Sequence, residues 1–330
     1  MTLRTLLVYQ HPSPFVLQDR DLLRKHGEVH EFRWSSHRHP ARALPKWMLR
    51  HRKDFDVVLI WFGDAHASVA TRAAQILRKP SVVVIGGYDV SDAPGYGYLS
   101  TKRGRQQAKV HFARATQIAA VSSSLRDQLA RHFPEATAKT VVLPTGVDLD
   151  GFRPRGLRER LVLSVAGASE WMRAWVKGWD RIAAAARLLP DVPFRLIGAA
   201  PDVRPRLEPP KNVEVRGPVA QAELVAEYQR AAVYLQASRS EGLPNTVLEA
   251  MASGCVPVVT RVGGMPDLVG DAGFVVGETP EQIASAVRRA LDSPDIGPRA
   301  RARIVDHFSA ERRAKDLVRL LEGLAAGSLA

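Results

Sequence analysis

Two carboxylates eight residues apart bracket a predicted helix start in the stretch from Ser240 to Gly254. Glu241 precedes the helix and Glu249 lies in its second turn. Pro244 suits the first helical position, because its missing N–H would have no intrahelical partner there. Gly254 is a natural stop, and Val256-Pro257-Val258-Val259 then reads as a buried strand. Between the glutamates lie the orphan N–H groups and the positive dipole end of the helix. A ligand with a hydroxylated end, a phosphate middle and a second hydroxylated end would suit that spacing. Either glutamate alone would pass for a surface residue on an amphipathic helix.

These groups need elements to hold them. Short apolar runs alternate with helical patterns along nearly the whole chain. Predicted strands include Thr5–Tyr9, Val29–Phe32, Val57–Trp61, Ser81–Ile85, Gln117–Val121 and Thr140–Leu143 in the first half. The second half offers Leu161–Val165, Phe194–Ile197, Val213–Arg216, Val233–Gln236, Val256–Thr260 and Gly273–Val276. Continuous Val/Ile-rich strands with intervening helices predict an α/β chain with parallel sheets covered on both faces. The break is expected near Pro144–Asp148 and the polar stretch 150–160, giving domains 1–150 and 151–310, with 311–330 a candidate for packing back on the first.

The segment from Ser240 to Gly254 resembles the E-x7-E motif of the retaining glycosyltransferases called group 1, or family 4. The likeness continues into Arg261-Val262-Gly263-Gly264-Met265-Pro266-Asp267, and Leu143–Pro154 looks like that family's segment crossing between domains, with Thr145 where Asn is usual. The resemblance implies the GT-B fold: two doubly wound Rossmann-like domains facing each other across a cleft, the first binding the acceptor and the second a nucleoside-diphosphate sugar.

The resemblance also implies roles. Glu241 would accept hydrogen bonds from the donor sugar and Glu249 from the ribose, with Gly242, Leu243, Pro244, Asn245 and Thr246 meeting sugar or phosphate through the backbone. Gly263 and Gly264 would let the main chain approach the diphosphate, and Lys177, in the family's Lys-Gly pair, would reach it as a compact charge. The family's Arg after the strand glycine is absent, because Ala168 follows Gly167; Arg173 could supply the second cation from an expanded loop over 169–172. Where relatives carry a His after the fourth strand this chain has Gly86, followed by Gly87 and Asp89; His66 is a plausible neighbour of that place, with helix capping the plainer reading. The implied chemistry moves a sugar from a UDP- or GDP-sugar to a carbohydrate or lipid-linked hydroxyl, needs no cofactor, and meets the leaving diphosphate with Lys177 and the helix dipole rather than metal. Its place would be cell-envelope glycan, polysaccharide or glycolipid synthesis. A nucleotide-sugar epimerase of the same fold and a non-catalytic nucleotide-sugar binder are the alternatives.

Composition fits a globular, cytoplasmic chain. Of 330 residues, 45% are hydrophobic, enough for two cores. No apolar run could span a bilayer, and the N-terminus reads as a strand and not as a signal peptide. The single cysteine, Cys255, rules out an intrachain disulfide. Net charge is +13, and the first 150 residues carry most of it. Segment 33–53 holds seven Lys or Arg and no acid, interleaved with Trp47, Met48 and Leu49. That composition suits peripheral contact with an anionic membrane at the inner face of the cell membrane. No nucleic-acid motif is present, so no nucleic-acid partner is expected.

Overall fold

Strands rich in Val and Ile are buried on both faces here, and the helices between them supply the cover. The computed structural model describes residues 2–93 and 95–328. It divides into two units: the chain up to Thr145 together with Glu311 onward, and Gly146–Ala310.

In the first unit the strands are β1 (Leu3–Tyr9), β2 (Gly27–Arg33), β3 (Val57–Trp61), β4 (Ser81–Ile85), β5 (Gln117–Ala120) and β6 (Thr140–Val142). They form one parallel sheet in the order β2-β1-β3-β4-β5-β6. Between them run α1 (Pro14–Arg24), α2 (Pro40–Arg50), α3 (Ala65–Ile76), α4 (Lys102–Arg114) and α5 (Ser123–His132). Every residue of β3 and β4 is buried, as a central strand covered on both sides requires.

The second unit contains β7 (Glu159–Ala168), β8 (Phe194–Ala199), β9 (Val213–Arg216), β10 (Ala231–Gln236), β11 (Val256–Thr260) and β12 (Phe274–Val276), in the parallel order β12-β11-β10-β7-β8-β9. Its helices are α6 (Trp171–Val176), α7 (Trp179–Arg187), α8 (Val203–Leu207), α9 (Gln221–Arg230), α10 (Asn245–Ala252), α11 (Met265–Val269), α12 (Pro280–Leu291) and α13 (Ile296–His307). Trp179, Ile182, Leu196, Val233, Val258 and Val287 sit in its core.

The last helix, α14 (Ala310–Ala325), belongs to the first unit from Glu311 on. Arg313 on α14 is 2% exposed and makes a forked ion pair with Asp19 of α1, at 3.0 and 2.7 Å. It also donates to the Leu143 carbonyl at 2.7 Å, and Asp19 accepts from the Trp61 indole at 2.8 Å.

Several elements differ from the sequence reading. The second half of the expanded loop expected over 169–172 is the start of α6, a six-residue helix too short to show a period. The helices α8 and α11 escaped for the same reason, each being five residues long. The helix α13, not expected from the sequence, carries Gly297 and Pro298, ordinarily poor helix residues, in its first turn. Pro244 is the extended cap of α10 (φ −74°, ψ 116°), one residue outside the helix it was expected to open.

Candidate functional site

Each sheet reverses its strand order once, and in open α/β sheets ligands bind at the carboxyl ends of strands at that reversal. In the second unit it falls between β7 and β10. The segment leaving β7 leads through α6 to Lys177, and the loop leaving β10 carries Glu241. Lys177 Nζ donates to Glu241 Oε1 at 2.7 Å, with Lys177 26% and Glu241 6% exposed. Gly178 makes this meeting possible. Its backbone is left-handed (φ 73°), and a side chain there would lie 1.9 Å from the Ala237 carbonyl at the end of β10. The Arg239 N–H bonds to the Val176 carbonyl at 2.8 Å and stitches the same two segments together.

Glu241 is held by more than Lys177. Its Oε1 also accepts from Ser238 Oγ at 2.7 Å and from Gln236 Nε2 at 3.1 Å. Gln236 in turn accepts from Tyr234 OH at 2.9 Å, which fixes its amide so that the NH2 points at the carboxylate. Tyr234, Gln236 and Ser238 are each at most 1% exposed. They occupy alternate positions along β10 and its extension, so they share one face. The sequence reading missed all three; the available signal was polar residues at every second position of an otherwise apolar strand. All three donors fall on Oε1, and among the described residues no side-chain donor is seen on the second carboxylate oxygen.

Gly263 and Gly264 do come close to backbone, but to that of the Glu241 loop. Gly263 (φ 56°) has room for no side chain, which would lie 2.1 Å from the Glu241 carbonyl. The Gly264 N–H donates to the Gly242 carbonyl at 2.8 Å. These glycines thus brace Glu241. Gly242, Leu243 and Pro244 are buried beneath the same loop, while Asn245 and Thr246 at the start of α10 are partly open.

Glu249 points elsewhere on α10. Its Oε2 accepts from Tyr228 OH on α9 at 2.9 Å, and burial pushes its carboxyl up to about 7 despite that hydrogen bond. Arg173 stands exposed on α6 and forms no ion pair among the described residues, so the structure does not join it to Lys177 and Glu241. Other arginines serve the rim instead. Arg239 forks onto Asp180 at 2.7 Å twice and stacks on Trp175 at 4.2 Å, and Arg181 reaches the Ala237 carbonyl. A 210 Å³ cavity lined by Arg158, Gly254 and Val256 lies at the opposite, amino-terminal end of the strands. It is away from these groups.

In the first unit the reversal falls between β1 and β3. The residues named from sequence gather just past β3 and β4, but they face inward. His66 is fully buried; its Nε2 donates to the Trp61 carbonyl at 2.8 Å and Nδ1 stands against the Asp64 carboxylate. Asp64 also caps α3 by accepting from the His66 N–H. Asp89 is fully buried too and accepts from the backbone N–H groups of Gly63 (3.1 Å), Gly86 (3.1 Å) and Gly87 (2.8 Å). Burial pushes its carboxyl up to about 6 against those three donors. Neither side chain is an open ligand contact; both hold the turn.

What they hold is Phe62, a bulky residue with left-handed backbone (φ 72°). Such a conformation costs about 1–2 kcal/mol for a residue with a Cβ. Its own N–H bonds to the Val84 carbonyl at 3.0 Å, so the peptides on either side of Phe62 are pinned by His66, Val84 and Asp89. The Phe62 ring lies over Gly86, where a Cβ would come 2.5 Å from Cε1. This explains why no side chain occupies position 86: the aromatic ring is already there.

The basic segment is likewise reshaped by packing. Leu44 and Met48 are fully buried, and the Trp47 ring lies 4.4 Å from His51, 6.3 Å from Phe32 and 6.4 Å from Phe55. The aromatic expected at a membrane interface therefore packs on its own unit, and of the segment's large apolar residues only Leu49 is open, at 56% exposed. Arg38, Arg42, Lys46, Arg50 and Lys53 are exposed and without ion pairs among the described residues. By contrast Arg195, Arg216, Arg230 and Arg288 in the second unit are all paired. Among the described residues no helix is long and apolar enough to cross a membrane, and no group of three or more His, Cys, Asp or Glu is placed to hold a metal.

Residues 5–150 match the family described as Glycosyltransferase Family 4, and residues 160–293 match Glycosyl transferases group 1. The chain belongs to the group 1, family 4 glycosyltransferases. It is 30% identical over 239 residues to a D-inositol 3-phosphate glycosyltransferase of Geodermatophilus obscurus, covering 62% of this chain and 52% of that one. It is 26% identical over 229 residues to a phosphatidylinositol N-acetylglucosaminyltransferase subunit of Arabidopsis thaliana, covering 64% and 51%. The chain thus spans about half the length of these curated relatives. Among solved structures, sucrose-phosphate synthase of Thermosynechococcus elongatus superposes with a TM-score of 0.82 at 16% identity, covering 98% of this chain and 100% of that one. HepE of Anabaena, in complex with UDP and glucose, superposes at 0.75 and 17% identity, covering 97% and 99%. The two parallel sheets of this glycosyltransferase family member are those of the GT-B fold.

Proposed function

We propose that the chain is a retaining glycosyltransferase. It moves a sugar from a nucleoside-diphosphate sugar to an acceptor hydroxyl during synthesis of a cell-envelope glycan, polysaccharide or glycolipid. The observation that carries this reading is the Lys177–Glu241 pair at the strand-order reversal of the second unit. A diphosphate arriving there meets Lys177 and the start of α10. The second carboxylate oxygen of Glu241 accepts from sugar hydroxyls, and Glu249 accepts from the ribose. In the reaction the bond from the anomeric carbon to the diphosphate breaks, the acceptor oxygen takes its place on the same face, and the acceptor proton leaves on the departing phosphate. Retention rests on the resemblance of Ser240–Gly254 to the family motif. The donor class draws support from HepE, solved with UDP-glucose. A lipid-linked or polyol acceptor draws support from relatives named for inositol phosphate and phosphatidylinositol. Thermal unfolding against UDP-, GDP-, ADP- and TDP-sugars tests the donor reading, since a ligand that binds the native state raises its midpoint. No shift with any of them defeats it.

The Glu249 carboxyl makes that binding depend on pH. Its folded-state value of about 7 lies above the ordinary carboxylate range, so the folded protein holds the proton more tightly than the unfolded chain does. The stability from that proton is present at low pH and lost as pH rises through about 7. Hydroxyl donors of the ligand need the ionised carboxylate. UDP affinity should therefore rise between about pH 6 and about pH 8, with proton release on binding, and flatten in Glu249→Gln. Titration calorimetry of UDP across that range checks both the slope and its loss.

The unpaired cations along α2 are proposed to rest on an anionic leaflet. Each Lys or Arg near such a surface contributes about 1 kcal/mol, so reversing Arg42, Lys46 and Arg50 to Glu should lower partitioning on the order of 100-fold. Co-sedimentation with vesicles containing phosphatidylglycerol, against phosphatidylcholine alone, measures this. Equal partitioning of wild type into both vesicle types would defeat it.

A further inference from the structure

We propose that the ring of Phe62 is a platform on which the C–H face of a sugar or cyclitol ring lies, at the β1–β3 reversal of the first unit. Phe62 is the first residue past β3, where ligands of such sheets bind. Its backbone is left-handed at φ 72°, the only aromatic residue of the described chain so placed. Strained residues persist where the surroundings over-determine them, and they cluster at ligand contacts.

The surroundings here are costly. Two ionisable side chains, His66 and Asp89, are fully buried, and they spend hydrogen bonds on the Trp61 carbonyl and the Gly63 N–H on either side of Phe62. Burying such groups only to shape a turn would be poor use of them when glycine at position 62 would adopt the same backbone freely. The arrangement makes sense if the ring itself must be presented. It is half-buried, backed by the bare Gly86, and braced by Phe15 edge-on at 5.7 Å and Trp61 at 5.5 Å. A half-buried aromatic ring at the end of β3, with the polar residues Gln10, His11 and Asp64 in the turns that follow the paired strands β1 and β3, matches a ring with C–H groups on its face and hydroxyls at its rim. This deepens the transferase reading, on which it rests only for the source of the ring.

Saturation-transfer NMR tests it on the full chain. The probes are myo-inositol, methyl α-D-glucopyranoside and methyl α-D-mannopyranoside as free rings, and UDP-glucose and GDP-mannose as nucleotide-linked rings. The expected result is saturation concentrated on one face of at least one ring in wild type and Phe62→Trp. In Phe62→Leu and Phe62→Gly it should fall by at least about fivefold. The glycine variant relieves the backbone strain but gives up the ring's packing on Phe15 and Trp61, so the unfolding midpoint of every variant is measured and saturation is compared well below it, which separates a folding defect from a binding one. Saturation of the free rings assigns the platform to the acceptor; saturation of the nucleotide-linked rings alone assigns it to the donor sugar. Unchanged saturation in the leucine and glycine variants, or no ring saturated in wild type, overturns the proposal. UDP affinity in the same samples keeps the two readings apart. Loss of UDP binding in wild type defeats the donor site, whereas intact UDP binding without a Phe62-dependent ring signal defeats the platform alone.

Discussion

Lys177→Ala is expected to lower turnover of the nucleotide-sugar donor by about 100-fold or more, most of it in kcat. The charge that develops on the departing diphosphate needs a positioned cation, and removing one such group costs about 2.7–4 kcal/mol of transition-state stabilisation. A second effect adds to the first. Without Lys177 the Glu241 carboxylate keeps Ser238 and Gln236 but loses its cationic partner, so a bare negative charge faces the incoming phosphates. Lys177→Arg should recover little, because the planar guanidinium is bulkier and cannot replace a point charge held by a single oxygen. Since the two residues act as a unit, the Lys177→Ala, Glu241→Ala double variant should lose much less than the sum of the singles. Nucleoside-diphosphate release from whichever donor shifts the unfolding midpoint is the measurement. Wild-type turnover in Lys177→Ala would remove this residue from the mechanism.

Asp19→Ala should destabilise the first unit by about 3–5 kcal/mol, the usual consequence of stripping the partner from a buried charge. Arg313 would keep the backbone carbonyls of Leu143 and Pro144 and the face of the Trp61 ring for its guanidinium, with no carboxylate among the described residues, and the Trp61 indole would lose its acceptor. Replacing both members with apolar residues, Asp19→Leu with Arg313→Met, should recover most of the loss, because desolvating two charges is itself expensive. Urea denaturation followed by hydrogen exchange of the β1–β6 amides reads the transition of this unit, since tryptophans lie in both units. A single-variant effect below about 1 kcal/mol would mean that water reaches the pair.

Much of the fold could be read from the chain. Runs such as Val57–Trp61, Ser81–Ile85 and Val256–Thr260 are apolar at nearly every position, and only a strand covered on both faces needs that. What escaped was short or carried its breaker inside: α6, α8 and α11 complete too few turns to show a period, and α13 holds Gly297 and Pro298 in its first turn. The site was legible to a similar depth. Glu241, Lys177 and the Gly263-Gly264 pair are near one another in the second unit, as their order along the chain suggested. The clamp on Glu241 was not legible, because Gln236 and Ser238 are unremarkable residues until the pleat of β10 puts them on one face.

By its spacing the sequence alone determined that Glu241 precedes a helix and Glu249 lies in its second turn, since 3.6 residues per helical turn and alternation along strands are local rules. It could not say which way a side chain turns once neighbours distant in the chain close around it. His66 and Asp89 were candidates for the acceptor or sugar side, with helix capping the plainer reading of His66. Folding buried both beneath the turn and put Phe62 over Gly86 in their stead. Trp47 had the look of a membrane anchor and became packing for Phe32 and Phe55. The free energy of an ionisable or aromatic group depends on its surroundings, and those are set by contacts between segments that no local pattern encodes.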